Sequence, residues 1–340
     1  MKDRDSSINY VAEISANHLG SLTRAHELID AATDAGATSV KFQTYKPETM
    51  VLDLAHLSVG SEHKLWGGRN LFSLYKEAMT PWEWHKELFD HCRSNGVTPF
   101  SSPFDPSAVS FLESIDSPMY KIASLETSDH QLIRIVGETG KPTIISTGAT
   151  ELKEIDELVE VFLNTGNQNL TLLVCTSAYP AIPKDANLRR ITELQSRYNL
   201  SVGVSDHTLS LSVPLIAIAL GARVIEKHLT LSRGDGGADA EFSLEPREFK
   251  SLVLNGNDGL NSLGAGDWNL RESEHESRRL RRSLFIVRDV HAGEEITLEN
   301  LKPLRPGDGE SPKHLENLIG MKFTTDFKMG TPMKLEFATK

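Results

Sequence analysis

Eight short runs of β-branched and aliphatic residues recur along the chain, each followed by a segment of helical length. The pattern predicts strands over 10–14, 39–43, 98–101, 119–122, 143–146, 170–175, 201–204 and 223–227. Amphipathic or apolar helical patterns follow, for example over 24–35, 82–95, 151–164 and 212–220. Strand–helix units in series argue for parallel strands. Eight is also the number that closes a barrel. A barrel of ~250 residues plus something smaller fits a chain of 340 residues. An open, doubly wound sheet is the structural alternative.

Two stretches break the rhythm. Residues 44–80 form a long insertion after the second strand, rich in Leu, His and aromatic residues. A loop of that length inside a compact domain is usually a lid or a binding loop. Residues 264–282 are polar and charged and end in Arg278, Arg279, Leu280, Arg281 and Arg282. They read as a helix or linker with a solvated face rather than a nucleic-acid patch. From Ser283 a new pattern begins, with a short strand over 284–287, glycine-containing turns and a helical pattern near 312–318. The expected organisation is therefore a barrel over 1–263, a linker over 264–282 and a small β-rich domain over 283–340.

Composition excludes some partners. The formal net charge is -11, so a diffuse acidic surface repels nucleic acid and anionic lipid. No run of ~18 apolar residues is present, and no membrane partner is expected. The first residues, MKDRDSSINYVAE, lack the apolar core of a signal peptide. The two cysteines, Cys92 and Cys175, lie in different elements and suggest a reducing cytoplasm rather than a disulfide scaffold. Cys175 reads as a small core residue, with a reactive thiol as the rival.

In a barrel of this type the chemistry sits at the C-terminal ends of the strands. Those ends are polar all round: Glu13, Ser15, Asn17 and His18; Lys41 and Gln43; Ser101 and Ser102; Lys121 and Ser124; Ser146 and Thr147; Thr176, Ser177 and Tyr179; Ser205, Asp206 and His207; Glu226, Lys227 and His228. Helix N-caps account for single cases, Ser128–Asp129 and Ser210 among them, but not for the whole ring. His207 and His228 end successive strands. Adjacent strands lie ~5 Å apart, so two imidazoles can converge on one ion and leave positions open for substrate oxygen. The alternative for each is a satisfied hydrogen-bond donor. Lys41, Lys121 and Lys227 meet a circle of hydroxyls, Ser102, Ser124, Ser146, Ser177 and Ser205, which suits a phosphate. Buried ion pairs with neighbouring Glu residues, or a Schiff-base lysine, are the alternatives.

These residues also form a recognisable pattern. AEISANHLGS (12–21), KFQTYKPETM (41–50), SSPFD (101–105), YKIAS (120–124), STG (146–148), CTSAYP (175–180), VGVSDHT (202–208), ALGARVIEKHLT (219–230) and FSLEP (242–246) resemble the sialic acid synthase family. RSLFIVRDVHAGEEIT (282–297), LRPGDG (304–309) and LIGMK (318–322) resemble that family's C-terminal SAF, or antifreeze-like, domain. The resemblance implies a (β/α)8 TIM barrel followed by a small β-rich SAF domain. AEISANH and the insertion, with Leu65, Trp66, Arg69, Leu71, Tyr75 and TPWEWH (80–85), are most similar to the branch that makes pseudaminic acid. The branches that make N-acetylneuraminate or legionaminate are the alternative.

By position the resemblance implies roles. His207 and His228 would hold a divalent cation, usually Mn2+. Lys121, Ser124, Ser146, Ser177 and Ser205 would surround the phosphate of phosphoenolpyruvate, with Ser102 at the edge. Lys41 and Gln43 would lie near the substrates, and Glu13 would be the catalytic carboxylate. Tyr179 and Asp239 would line the sugar and metal region. The family forms domain-swapped homodimers, in which Arg305 would reach the acylamino group of the partner's sugar. The implied reaction joins phosphoenolpyruvate to a 2,4-diacetamido-2,4,6-trideoxy-hexose in the cytoplasm. A non-catalytic carbohydrate-binding barrel and a Schiff-base aldolase are the rivals from other classes.

Overall fold

The computed structural model describes residues 7–340. The first six residues, part of the segment read above as lacking a leader, lie outside it. The chain divides into two compact units that meet at Gly264 and Ala265.

Among the described residues the first unit contains eight strands: β1 (Asn9–Glu13), β2 (Ser39–Thr44), β3 (Thr98–Pro103), β4 (Tyr120–Ile122), β5 (Thr143–Ser146), β6 (Leu170–Cys175), β7 (Ser201–Ser205) and β8 (Val224–His228). They close into one barrel in sequence order, each strand parallel to its neighbours. The closed parallel barrel expected from the count of units is thus the fold, and the open sheet is not. Every expected strand lies within two residues of its observed bounds.

The helices are α1 (Leu22–Asp34), α2 (Pro47–Met50), α3 (Leu71–Ala78), α4 (Trp82–Ser94), α5 (Pro106–Ser114), α6 (His130–Glu138), α7 (Leu152–Leu163), α8 (Arg190–Tyr198), α9 (Ser212–Ala219) and α10 (Pro246–Ser262). Local chemistry starts several of them. Ser21 accepts the Arg24 N–H ahead of α1, and Asp105 accepts two N–H groups ahead of α5. Reciprocal capping boxes open α7 and α10. Asp129 caps α6 as expected, through the Leu132 N–H. Ser210 is not the cap of α9: Leu211 holds that position, and the Ser210 hydroxyl accepts the Ser212 N–H instead.

Side chains alternate along each strand between the barrel interior and the helices. Tyr10, Ala12, Ile14, Val40, Phe42, Ile122, Val204 and Ile225 join the large core formed with the helices. Val11, Phe100, Ile144, Leu173 and Val224 form a separate buried cluster, with Met119 against it. This cluster plugs the barrel and supports whatever lies above it.

The second unit has its own core of Leu284, Ile286, Val290, Ile296, Leu301, Leu318, Phe323 and Met333. Its segment 265–282 contains α11 (His275–Arg279), and Arg278 to Arg282 are exposed, as a solvated face requires. Two antiparallel pairs follow, β9 (Ser283–Ile286) with β10 (Leu301–Leu304), and β11 (Lys322–Phe323) with β12 (Ala338–Thr339). The helical pattern near 312–318 resolves into a 3-10 turn and the single turn α12 (Leu315–Leu318).

Candidate active site

Two residues along each strand from the apolar plug, the interior becomes polar. Val11 is followed by Glu13, Phe100 by Ser102, Met119 by Lys121, Ile144 by Ser146, Leu173 by Cys175, and Val224 by Glu226. Parallel register sets Glu13 beside Lys41 on one side and His228 on the other. Gln43 is level with Ser102, Cys175 with Ser205, and Ser205 with Glu226.

This layer is a buried charge network. The Lys41 ammonium is paired with the Glu13 carboxylate, and both side chains are almost fully enclosed. Lys41 Nζ also lies 4.0 Å from Glu226 Oε1 and donates to Ser102 Oγ at 3.5 Å. Lys121 Nζ is 3.8 Å from the same Glu226 oxygen, and Ser205 Oγ donates to it at 2.9 Å. Burial disfavours the Glu226 charge, but Lys121, Lys41 and the Ser205 hydroxyl outweigh it and bring the carboxyl down to about 2. Burial likewise works against the Lys41 charge, and Glu13 with Glu226 reverses that, so this lysine ends above its ordinary value. For Lys121 burial outweighs the attraction of Glu226, the neighbouring Lys41 charge adds to the burial effect, and its pKa falls. An anionic ligand near Lys121 would add the counter-charge that Glu226, shared with Lys41, supplies only in part.

Hydroxyls and a tight turn sit beside Lys121. The Gly148 N–H donates to Ser124 Oγ at 3.0 Å. A methyl group on Gly148 would collide with Ser177 Oγ and lie 2.9 Å from Ser124 Oγ and 3.1 Å from Cys175 Sγ. Glycine is therefore required where Ser124, Ser177 and the strand-five turn converge. Ser146 Oγ is buried with no hydrogen-bond partner among the described residues, a group left for a ligand to satisfy.

The two histidines converge, with ring centroids 5.3 Å apart. His207 Nδ1 faces the Thr176 carbonyl oxygen at 3.1 Å. A carbonyl can only accept, so Nδ1 carries the proton and Nε2 presents its lone pair, the arrangement that orients metal-ligating imidazoles. His228 Nδ1 is buried without a hydrogen bond and lies 3.4 Å from Asp239 Oδ2. This donor set fits a divalent cation. Among the described residues no group of three or more His, Cys, Asp or Glu side chains could hold an ion, so the protein would contribute two imidazoles.

An aromatic wall encloses the histidines. The Tyr179 ring lies 4.5 Å from His207 and 5.1 Å from Phe242, and Phe242 lies 4.8 Å from His228. The 44–80 insertion reaches this wall. Trp66 stacks on His63 at 4.7 Å, approaches Tyr179 at 5.5 Å, and donates its Nε1–H to the Ala238 carbonyl at 2.9 Å. Val59, Trp66 and Ala78 pack with Ala16, Leu74 and Ala238 in a small cluster of their own. The insertion is therefore seated on the loop that carries Asp239.

Twelve of the expected barrel residues thus gather at the strand ends: Glu13, Lys41, Gln43, Ser102, Lys121, Ser124, Ser146, Ser177, Tyr179, Ser205, His207 and His228. Asp239 joins them from the loop after β8. Arg305 is an exposed residue of the second unit, following β10.

Lys227 requires a correction. It was expected in the phosphate-type cradle with Lys41 and Lys121. Its register partner is Ala12, a residue of the outer core, so it projects from the opposite face of β8. There it is fully buried and pairs with Asp206. Two acids had been given no role. Glu226 was counted in the polar ring without a function, although it shares the inward parity of Val224 and His228. Glu126, on the 3-10 turn Ser124–Glu126, has a buried Oε2 without a hydrogen-bond partner; burial raises its pKa to about 7, against a lowering by the Lys121 charge.

A barrel with such a ring, followed by a separate β-rich unit, defines a class, and the comparisons agree. The NeuB family model matches residues 28–267 and the SAF domain model residues 281–336. The chain belongs to the NeuB family. It is 40% identical over 330 residues to a pseudaminic acid synthase of Campylobacter jejuni, covering 97% of this chain and 96% of that one. It is 35% identical to an N,N'-diacetyllegionaminic acid synthase of Legionella pneumophila, with 99% and 96% covered. The crystal structure of an N-acetylneuraminic acid (sialic acid) synthetase from Leptospira borgpetersenii, in complex with citrate, superimposes with a TM-score of 0.72. It is 32% identical and covers 80% of this chain and 90% of that one. Among the described residues no helix is long and apolar enough to cross a membrane.

Proposed function

We propose that the chain condenses phosphoenolpyruvate with a 2,4-diacetamido-2,4,6-trideoxy-hexose and water, giving pseudaminic acid and phosphate. The observation that carries this reading is the layer of two buried lysines and converging hydroxyls set directly beside two imidazoles. One half suits a phosphorylated anion and the other an electrophilic oxygen. The relatives' names support the choice of sugar.

In this reading Lys41 and Lys121, with Ser102, Ser124, Ser146, Ser177 and Ser205, hold phosphoenolpyruvate. A divalent cation, for which we propose Mn2+, would be held by His207 and His228 and would polarise the sugar aldehyde as a Lewis acid. The C3 carbon of the enol ester then forms a bond to the aldehyde carbon, whose oxygen takes up a proton. Water adds to C2 and gives one proton to a base; phosphate then departs with its bridging oxygen and takes up the second proton as C2 becomes the ketone. Glu13 is suited to that proton traffic: it is buried, paired with Lys41, and its Oε1 accepts the Ser15 N–H at 2.7 Å, which fixes the carboxylate. Holding both substrates in one dry layer lowers the entropic cost of joining them. Gln43, Tyr179 and Asp239 line the sugar side. Arg305, acting across a domain-swapped homodimer, and a cytoplasmic setting belong to the same proposal.

A substrate panel tests it. With phosphoenolpyruvate and Mn2+, phosphate release is expected to be fastest with the 6-deoxy diacetamido sugar of pseudaminic type. Faster release with the legionaminic-type sugar or with N-acetylmannosamine would replace the proposed sugar. Release with none would favour a carbohydrate-binding barrel.

A further inference from the structure

We infer that Lys227 is a positioning residue that ties together the two strand ends bearing His207 and His228. The inference rests on the two-histidine ion site proposed above. Lys227 is 0% exposed on the outer face of β8, away from the charge layer. Its Nζ donates to Asp206 Oδ2 at 2.9 Å and to the Thr208 carbonyl oxygen. Asp206 and Thr208 are the two residues that flank His207. They are also bonded to each other: the Thr208 N–H donates to Asp206 Oδ1 at 2.9 Å, and the Thr208 hydroxyl donates to Asp206 Oδ2 at 3.2 Å. The backbone around His207 is thereby closed into a small hydrogen-bonded turn, and one ammonium grips that turn on both sides. The residue after this lysine is His228.

Consequently one buried cation holds β7 and β8 in a fixed relation just behind the imidazoles. Two protein ligands can define an ion site only if their separation is fixed. With no third ligating side chain among the described residues to enforce it, that separation falls to the backbone. A buried ion pair is a poor source of stability against an apolar replacement. Its value here lies in geometry: the ammonium satisfies a carboxylate and a carbonyl that would otherwise let the turn rotate.

The test separates this role from a place in the phosphate cradle. Mn2+ binding is followed through the EPR signal of the free ion, and phosphoenolpyruvate binding by calorimetry. Both are measured for the wild type, Lys227→Met, Asp206→Asn and the double variant, which buries no charge. Lys227→Met and Asp206→Asn are each expected to weaken Mn2+ binding by ~10–100-fold, with phosphoenolpyruvate affinity unchanged. The double variant should lose no more than either single variant, because both changes break one linkage. Unchanged Mn2+ affinity in the folded variants, or a loss confined to phosphoenolpyruvate, overturns the inference. If Lys227→Met fails to fold, Asp206→Asn and the double variant decide. A wild type that binds no Mn2+ would overturn the ion site itself. A role in stability alone would lower the melting temperature and leave both affinities in place.

Discussion

Two layers inside the barrel lie two residues apart on the same strands and have opposite chemistry. The lower layer, Val11, Phe100, Ile144, Leu173 and Val224, is a dry plug. The upper layer, with Glu13, Lys41, Ser102, Lys121, Ser146 and Glu226, holds charges and, at Ser146, a hydroxyl unsatisfied among the described residues, at nearly the same burial. Burial therefore does not distinguish core from site in this molecule. The difference lies in what each layer leaves unpaired. The plug has nothing to offer a ligand. Among the described residues the upper layer has a lysine whose pKa is depressed, a hydroxyl without a partner and two imidazole rings 5.3 Å apart. The plug gives the charge layer a rigid floor, and the charge layer contributes little to stability that an apolar layer would not.

The largest test of the division is His207→Ala. It is expected to reduce phosphate release by at least about 10³-fold, as loss of Lewis-acid stabilisation worth several kcal/mol implies. The melting temperature should change little, and EDTA should reproduce the effect in the wild type. Activity that persists with excess chelator would remove the ion from the upper layer's function. Glu13→Gln comes next. Phosphoenolpyruvate and Mn2+ should still bind, while the rate falls by roughly 10²–10⁴, as for a lost general acid or base. Loss of binding with an unchanged rate would make Glu13 a structural partner of Lys41.

A lower-layer change should behave in the reverse way. Phe100→Ala is expected to cost about 3–5 kcal/mol of stability through the cavity it leaves, read from urea midpoints. At a temperature where the variant stays folded, its rate should remain within a few-fold of the wild type. A rate loss like that of Glu13→Gln would mean the plug takes part in the chemistry. Ser146→Ala lies in the upper layer, two residues beyond the plug residue Ile144 on β5. Its hydroxyl has no partner among the described residues, so stability should hold or rise slightly. Phosphoenolpyruvate affinity should fall about tenfold, the worth of one hydrogen bond to a charged group. An unaltered affinity in calorimetry would put the phosphate elsewhere.

The sequence made the strands legible because each is a short apolar run bounded by polar residues, and their number fixed the barrel. The ring of site residues was legible for the same reason: Glu13, Lys41 and Lys121 interrupt apolar runs where a core would not tolerate them. Lys227 was misread because residue type was weighed and parity was not. With His228 inward, period-two alternation sends Lys227 outward and brings Glu226 in. Trp66 could not be assigned a place, since the insertion has no periodicity and its position depends on one hydrogen bond to Ala238 and on ring contacts far along the chain. Glu126 had no signal either. It lies on a 3-10 turn beyond the strand, and only the fold shows that its carboxyl is enclosed.

Glu126 supplies the finest test, because it marks where the upper layer ends. Its ordinary value near 4.5 is raised to about 7, first by burial, with Lys121 only partly opposing. The native state therefore holds the Glu126 proton more tightly than the unfolded chain does. That preference favours folding fully below about pH 4.5 and is lost as pH rises through about 7. Glu126→Gln cannot ionise and should escape the loss. Relative to the wild type it is expected to gain about 1–2 kcal/mol between pH 5 and pH 8, less than the full shift implies because the side chain is only half-buried. Urea midpoints of the ligand-free protein at the two pH values measure this directly. A difference between variant and wild type that stays constant with pH would show that the carboxyl is already ionised at pH 5. In that case Lys121, not burial, would dominate at this position, and Glu126 would belong to the charge layer with Glu226.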